Sequence, residues 1–441
     1  MKKVITYGTF DHLHEGHIRL LKRAKALGDF LIVGVTSDSF DQARGKINVE
    51  QSLFERMDAV RKTGLADQII VEEYEGQKID DILRYGVSVF VEGSDWKGVF
   101  DYLSPLCEVV YLPRTEGISS SDIRSKEKEL RFGIAGSVAL SAKFAQEAHF
   151  VNGASVSAFY GSRKYYETEF RDRGISYCPD FDALLDQCDA VYLATPPQDH
   201  FLQIRKAIAK GKNVLCELPV CLKREELLLL EKEAEEKGVL LMGGLKTAYA
   251  MAWMRLQLLL KEGAVGTIVS VQATETSLQE FQYESQERWP SLCYWGTPGI
   301  LAVLQLLGTE YEEVSFCSRF TPEGDDTFTR ISFRYPHAVA EVLTGSGVKS
   351  EGTLVVSGTK GYLYVPAPWW KPDYFELRYE DERMNRKFFY PLEGEGIRYE
   401  ILTFLNRVRS RRPSYYLTEA VSERMTDVLE AYYERKKVYP I

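Results

Sequence analysis

Gly8-Thr9-Phe10-Asp11-His12-Leu13-His14-Glu15-Gly16-His17 holds three of the chain's six histidines, and its reading decides the fold of the first half. It follows a short apolar strand, residues 4–7, and leads into a helix. A helix start leaves backbone N–H groups unpaired and carries the positive end of the helix dipole. Gly16 has no side chain, so a phosphate can approach the backbone closely. His14 and His17 flank that point and can donate to an oxyanion that gains charge in phosphoryl chemistry. His12 falls outside this His-x-Gly-His spacing and is read as packing or as support behind the pair.

Working outward, residues 1–125 alternate apolar strands (3–7, 30–36, 68–72, 88–92, 108–112) with helices near 17–27, 50–62 and 77–84. This is the pattern of a parallel βα sheet. Ser125-Lys126-Glu127-Lys128-Glu129 is charge-rich, lacks an apolar period and marks a boundary. A second βα series opens at 130–135, with strands at 155–160, 190–194, 213–216 and 239–243 and a long helix over 224–237. From 248 on the texture changes. Strands at 266–275, 312–319, 328–335, 338–344, 352–357 and 361–365 predict a large, mostly antiparallel sheet. Helices near 249–262, 297–307, 396–410 and 418–436 accompany it. The expected class is α/β, with domains at 1–126, 130–247 and 248–441.

The 441 residues suffice for two or three separate cores. A net charge of −9 argues against a general nucleic-acid or anionic-membrane partner. No apolar run approaches the roughly 20 residues that span a bilayer. The opening Met1-Lys2-Lys3-Val4-Ile5-Thr6-Tyr7-Gly8 enters a strand without a signal-peptide core. Seven scattered cysteines show neither CxxC nor Cys/His ligand spacing. These features predict a cytoplasmic protein with no disulfide framework, structural zinc, nucleic-acid partner or membrane insertion.

Two further runs accompany the histidines: Gly93-Ser94-Asp95-Trp96 and Arg114-Thr115-Glu116-Gly117-Ile118-Ser119-Ser120. With them, residues 1–126 resemble the cytidylyltransferases, most closely the glycerol-3-phosphate branch. The histidine motif alone marks a broad superfamily of nucleotidyltransferases, and the RTEGIS run is more specific to the cytidylyl branch. The resemblance implies a Rossmann-like nucleotidyltransferase fold in which an alditol phosphate attacks the α-phosphate of CTP and pyrophosphate leaves. No enzyme nucleophile is needed, so positioning and charge stabilisation dominate. Catalytic roles are implied for His14, His17, Lys46 and Arg114. Nucleotide contacts are implied for Thr9, Phe10, Asp11, Gly16, Asp95, Arg114, Thr115, Ser119 and Ser120. Arg56 falls where the family has a helical arginine and is a candidate for the acceptor phosphate. A second arginine, two turns on, is replaced by Gly64, with Arg61 and Lys62 close by. Mg2+ is implied with the triphosphate, its protein ligands unassigned.

Phe132-Gly133-Ile134-Ala135-Gly136-Ser137-Val138-Ala139 opens the second series as a dinucleotide-type turn. Together with Ala194-Thr195-Pro196-Pro197-Gln198-Asp199-His200, Cys216-Glu217-Leu218-Pro219 and Gly358-Thr359-Lys360-Gly361-Tyr362, it makes residues 130–441 resemble the Gfo/Idh/MocA oxidoreductases. That resemblance implies a second Rossmann domain followed by an α+β domain. It names Gly136, Ser162, Arg163, Thr195, Pro196, His200 and Glu217 as dinucleotide candidates, with NAD(P) as the cofactor. Three places depart from the family. Val138 and Ser141 stand at the second and third glycine positions. Leu218 replaces a lysine, and Tyr294-Trp295-Gly296-Thr297-Pro298 carries neither acid nor histidine.

Two expectations stay open for this half. One is an active reductase making the alditol phosphate, with Lys246 or Tyr249 as the acid and Ser162-Arg163 favouring NADP. The other is a non-catalytic module for dimerisation or ligand binding. A homo-oligomer is expected either way. Trp253, Trp289, Trp295, Trp369 and Trp370 are candidates for pocket lining, with packing the plainer reading of Trp369-Trp370. The expected function of the chain is cytidylyl transfer to an alditol phosphate, most simply glycerol 3-phosphate. The CDP-alditol would serve cell-envelope or capsule polymers. The rival is a non-catalytic nucleotide-binding scaffold, against which the intact histidine and RTEGIS motifs speak.

Overall fold

A computed structural model describes residues 1–37, 40–41, 49, 51, 53–74, 76–113, 129–278, 291–390, 392, 394–410 and 417–441. The chain forms two compact units, Met1–Lys128 and Glu129–Ile441.

The first unit is built on five parallel strands in the order β3-β2-β1-β4-β5. They are β1 (Lys3–Gly8), β2 (Phe30–Thr36), β3 (Gln68–Glu72), β4 (Val89–Gly93) and β5 (Glu108–Leu112). Val4, Leu31, Val33, Val89 and Val91 pack on one face with Leu21 and Ala24 of the helix Glu15–Lys25. Ile5, Ile32 and Phe90 pack on the other with Ile82 of the helix Gln77–Tyr85. Burial on both faces is why these strands read as continuous apolar runs. The strand order reverses at β1, and a sheet of this kind opens a crevice at the carboxyl ends flanking such a reversal. The histidine turn follows β1, and Gly93–Trp96 follows β4. Pairing of β1 with β4 brings both motifs to one edge.

The second unit opens with six parallel strands in the order β11-β10-β9-β6-β7-β8. These are β6 (Leu130–Ala135), β7 (Ala154–Tyr160), β8 (Ser176–Cys178), β9 (Ala190–Leu193), β10 (Asn213–Glu217) and β11 (Leu241–Gly244). Here the order reverses at β6. A nine-stranded sheet follows in the order β19-β18-β17-β16-β12-β15-β14-β13-β20. Its strands are β12 (Ile268–Ser277), β13 (Glu313–Phe320), β14 (Asp326–Arg334), β15 (Val339–Ser346), β16 (Leu354–Gly358), β17 (Tyr362–Val365), β18 (Tyr374–Arg378), β19 (Arg386–Phe389) and β20 (Val438–Pro440). The sheet is antiparallel except where β12 meets β15 and β13 meets β20.

The sequence places a boundary at 247/248, yet the two parts pack into one unit. Arg398 reaches back to Glu147 at 2.8 Å, with both side chains buried, and Thr247 donates to the Trp370 carbonyl at 2.9 Å. The sequence reading misses β8, β18, β19 and β20. Each is short, and β19 begins with two charged residues at the outer edge of the sheet, where charge guards against further pairing.

The turn after β6 depends on Gly136. Its φ is +119°, and a Cβ there would lie 2.2 Å from the carbonyl oxygen of Ala194. Gly136→Ala should therefore lower the stability of the second unit by about 2 kcal/mol or more. Calorimetry should show the second unit's transition moving while the first unit's stays in place. An unmoved trace would mean that the turn relaxes freely.

Candidate functional site

In the first unit, Phe10 (φ 55°) and His12 (φ 45°) hold a left-handed backbone without being glycine. Such strain persists only where its surroundings over-determine it. Phe10 is buried and meets the His17 ring edge-on at 5.4 Å. The chain then turns so sharply that the helix begins at Glu15, earlier than the sequence pattern predicts, with His14 as its N-cap. His14 Nδ1 accepts the Gly16 N–H at 3.1 Å, and His17 Nδ1 faces the His14 N–H at 3.4 Å. The two rings stack at 3.9 Å with 20° between their planes. A ring nitrogen that accepts carries no proton, so each neutral imidazole keeps its proton on Nε2. The caps thereby pre-set two Nε2–H donors side by side at a helix start.

Behind this turn lies a buried frame. Arg56 is fully enclosed and donates to the carbonyls of Thr9 (2.6 Å), Thr36 (2.8 Å) and Gln51 (3.0 Å). It stands 3.6 Å from the equally buried Asp41, which accepts from the Thr9 hydroxyl at 2.8 Å. Asp11 accepts the Gln51 N–H at 3.0 Å, and Gln51 Oε1 accepts the His12 N–H at 2.8 Å. The sequence offers Arg56 to an acceptor phosphate. The structure instead wraps it in backbone carbonyls, where it braces the histidine turn against β2. Lys46, Arg114, Thr115, Ser119 and Ser120 lie outside the described residues, as does the side chain of Asp95.

In the second unit, the helix Ala139–Ala148 starts from Val138, which makes no side-chain cap. Val138, Ala139 and Leu140 line a cavity of about 350 Å3 that also reaches Thr195, Glu217, Lys246 and Glu275. An uncapped helix start suits a pyrophosphate. The Val138 side chain narrows the approach that a glycine would leave open. The residues of this edge thus fit a dinucleotide through the helix start, while Thr195 lines the cavity with its hydroxyl donating to Gln203 at 2.6 Å. Ser162 and Arg163 are occupied locally. Ser162 caps the short helix Arg163–Glu169 and donates its N–H to Ser137 Oγ at 2.6 Å. Arg163 pairs with Glu167 at 2.7 Å and lies over the Tyr177 ring. Pro196 is the N-cap of the helix Pro197–Ala209.

His200 has a structural task that its motif does not reveal. It is buried, with Nε2 2.8 Å from the Thr195 carbonyl and Nδ1 2.9 Å from the Pro219 carbonyl. It ties the loops after β9 and β10 together, and burial lowers its pKa to about 4.

The floor of the cavity is a cluster of titratable groups. The Tyr192 hydroxyl donates to Glu217 at 2.6 Å. Burial pushes Glu217 up to about 7, against the opposing pull of Tyr192 and Lys246. Burial, reinforced by Lys371, lowers Lys246. A Cβ at Gly244 would lie 2.7 Å from Glu400 Oε1 and 3.3 Å from Glu217 Oε1, so the bare glycine makes room for both carboxyls. Of the two acids the sequence proposes, Lys246 lines the cavity, while the Tyr249 hydroxyl is spent on the Gly243 carbonyl at 2.9 Å.

Glu275 and Glu400 escape the sequence reading. A signal for Glu275 exists: it continues the inward face set by Val271 and Ala273 at two-residue spacing. Trp295 and Trp370 line the cavity, whereas Trp253 and Trp369 are fully buried packing. Trp289 lies outside the described residues.

The comparisons divide the chain at the same place. A cytidylyltransferase-like family model matches residues 5–126, and a model of the oxidoreductase family with an NAD-binding Rossmann fold matches residues 130–245. The glycerol-3-phosphate cytidylyltransferase of Bacillus spizizenii is 49% identical over 124 residues, 28% of this chain and 95% of that protein. That of Staphylococcus aureus is 47% identical over 126 residues, 29% of this chain and 95% of that protein. The trans-1,2-dihydrobenzene-1,2-diol dehydrogenase of Oryctolagus cuniculus is 27% identical over 260 residues, 55% of this chain and 77% of that protein. The 3-ketoreductase KijD10 of Actinomadura kijaniata, solved with NADP and TDP-benzene, shares the fold. Its TM-score is 0.64 at 21% identity, covering 71% of this chain and 99% of that one.

Two expectations follow from the geometry. Arg56→Met removes the buried guanidinium beside Asp41 together with its hydrogen bonds to the Thr9, Thr36 and Gln51 carbonyls, and should cost the first unit about 3–5 kcal/mol in urea unfolding. A loss under about 1 kcal/mol would return Arg56 to the ligand-binding candidates. For His200, a folded pKa of about 4 against an ordinary 6.5 means that the stability tied to its neutral form is complete above pH 6.5 and declines as pH falls toward 4. His200→Gln should flatten that acid slope, and an unchanged slope would assign the acid sensitivity to other groups.

Proposed function

The chain belongs through residues 5–126 to the cytidylyltransferase-like family and through residues 130–245 to the oxidoreductase family with an NAD-binding Rossmann fold, and on that premise we propose that the first unit transfers a cytidylyl group from CTP to an alditol phosphate, most simply glycerol 3-phosphate. The acceptor's phosphate oxygen forms a bond to the α-phosphorus as the bond to the bridging oxygen of the β-phosphate breaks, and pyrophosphate leaves; Mg2+ brought by the triphosphate would offset its charge. The observation that carries this reading is the stacked pair of Nε2–H donors on His14 and His17. Charge builds on the α-phosphate and the leaving group in the transition state. Donors already fixed in place stabilise that charge without reorganising.

Thr9, Phe10, Asp11 and Gly16 shape the turn beneath the nucleotide. Lys46, Arg114, Thr115, Ser119, Ser120 and Asp95 are proposed to complete the nucleotide contacts, on the strength of their motifs. The CDP-alditol would serve polymer synthesis at the cell envelope.

A second reading concerns the second unit: a reductase that supplies the acceptor. It is favoured by Glu217 and Lys246, which titrate abnormally on the floor of a cavity that begins at an uncapped helix start. NAD(P)H would be held by the amides of Ala139 and Leu140 and by Thr195, and when bound it supplies a hydride. Lys246 Nζ, steadied by Glu395, would hold the proton for the substrate oxygen.

Pyrophosphate release with CTP and glycerol 3-phosphate tests the first reading. His17→Ala should lower kcat by about 10²–10⁴. His14→Ala should do the same and also cost about 1 kcal/mol of stability through the lost cap. Unaltered rates in both variants would sink the assignment. For the second unit, millimolar NADPH should raise the thermal midpoint, and Val138→Gly should raise it further, because ligand binding stabilises the folded state. No shift in either protein would leave a module for dimerisation or ligand binding.

A further inference from the structure

Three lysines from separate elements converge on one carboxylate at the cavity of the second unit. Lys143 comes from the helix Ala139–Ala148, Lys246 from the turn after β11, and Lys371 from the loop between β17 and β18; all three line the cavity. Glu395, just ahead of the helix Ile397–Ser410, lies 3.2 Å from Lys143 Nζ and 3.5 Å from Lys246 Nζ, and it also pairs closely with Lys371. Burial alone would raise Glu395, but Lys371 and Lys246 hold it at about 2, so it is an anion. Three cations against one anion leave the cluster strongly positive.

Deeper in, Glu275 on β12 is 4% exposed and lines the same cavity, and its Oε2 has no hydrogen-bond partner among the described residues. An unpaired buried polar atom is costly unless a ligand satisfies it. Burial raises this carboxyl far above its ordinary range. It therefore keeps its proton and can both donate to a hydroxyl and accept from one.

We propose that this cavity binds a short polyhydroxylated phosphate monoester, its phosphate on Lys143 and Lys371 and a chain hydroxyl on Glu275, with Lys246 left to the substrate oxygen. A phosphate monoester carries nearly two negative charges. It thus matches the surplus charge of the cluster better than a carboxylate does. The assignment rests on the reading of the second unit as a module that handles the first unit's acceptor, and it names what that module recognises.

The test is hydrogen–deuterium exchange on the full chain, without CTP, titrated with glycerol 3-phosphate, ribitol 5-phosphate, inorganic phosphate or glycerol. The polyol phosphates should protect residues 139–148 and 246–261. Lys143→Ala with Lys371→Ala should weaken that protection at least tenfold while leaving the cytidylyl transfer rate unchanged. Glu275→Leu should keep the response to inorganic phosphate and lose at least fivefold of the preference for the polyol phosphate, whereas Glu275→Gln, which still donates and accepts, should keep that preference. Should the double variant not fold, Lys371→Gln serves in its place, since that side chain is 28% exposed.

No protection in the second unit, or protection indifferent to the lysines, overturns the proposal. Inorganic phosphate binding as tightly as the polyol phosphates overturns its polyol part. A midpoint shift with NADPH but no polyol-phosphate protection would defeat this assignment alone. Absence of transferase activity in the unaltered chain would defeat only the reading of the first unit.

Discussion

A helix that follows directly on a parallel strand must satisfy amides that have no partner within the helix. Both units face this constraint at their first strand, and they answer it differently. In the first, His14 caps the helix with Nδ1, and His17 reaches back toward the His14 amide in the same turn. The cap sets the tautomers as a by-product, so a structural requirement orients two Nε2–H donors. In the second, Val138 makes no side-chain cap, and Val138, Ala139 and Leu140 at the helix start line a cavity. One turn places its chemistry on side chains. The other leaves its chemistry to whatever anion enters.

Burial then sorts the charged groups by task. Arg56 and Asp41 are sealed together, and their hydrogen bonds end on the loop that carries the histidines. A pair so enclosed gives a loop a defined position, although its desolvation cost offsets much of the mutual attraction. In the second unit the buried carboxyls Glu217, Glu275 and Glu400 are not each matched by a cation. Lys246 pulls against the raised values of all three. A group of this kind in a cleft, perturbed by burial and by a particular neighbour, is the usual mark of a site where ligands bind or protons move.

Much of the fold was legible in residue spacing. The strands at 68–72, 108–112 and 130–135, and the helices at 224–237 and 297–307, were read to the residue because uniform apolar runs and long amphipathic periods leave no ambiguity. The start of the first helix was not, because two histidines serving as its cap and third residue do not form the Ser/Thr-x-x-Glu pattern by which such starts are recognised. Edge strands such as Arg386–Phe389 were missed because their polarity reflects exposure rather than pairing. Among site residues, His14 and His17 announce themselves by their spacing. Arg56 and His200 carry the same motif signal as ligand contacts, yet they turn out to be enclosed. Lys143, Lys371 and Glu395 show no local pattern at all, and Glu275 shows only its place on the inward face of β12.

The sequence by itself determined that the chain carries two βα series, that the first opens on a histidine turn suited to phosphoryl chemistry, and that the second has Val138 where its own turn calls for a second glycine. Those properties are local, set by the chemistry and spacing of neighbouring residues. Only the tertiary structure decided which charged groups are struts and which face a cavity, because that depends on contacts between residues far apart in the chain. Lys143, Lys246, Lys371 and Glu395 become one cluster because the helix after β6, the turn after β11 and the edge of the nine-stranded sheet close on the same space. No spacing along the chain encodes that meeting, since it is produced by packing.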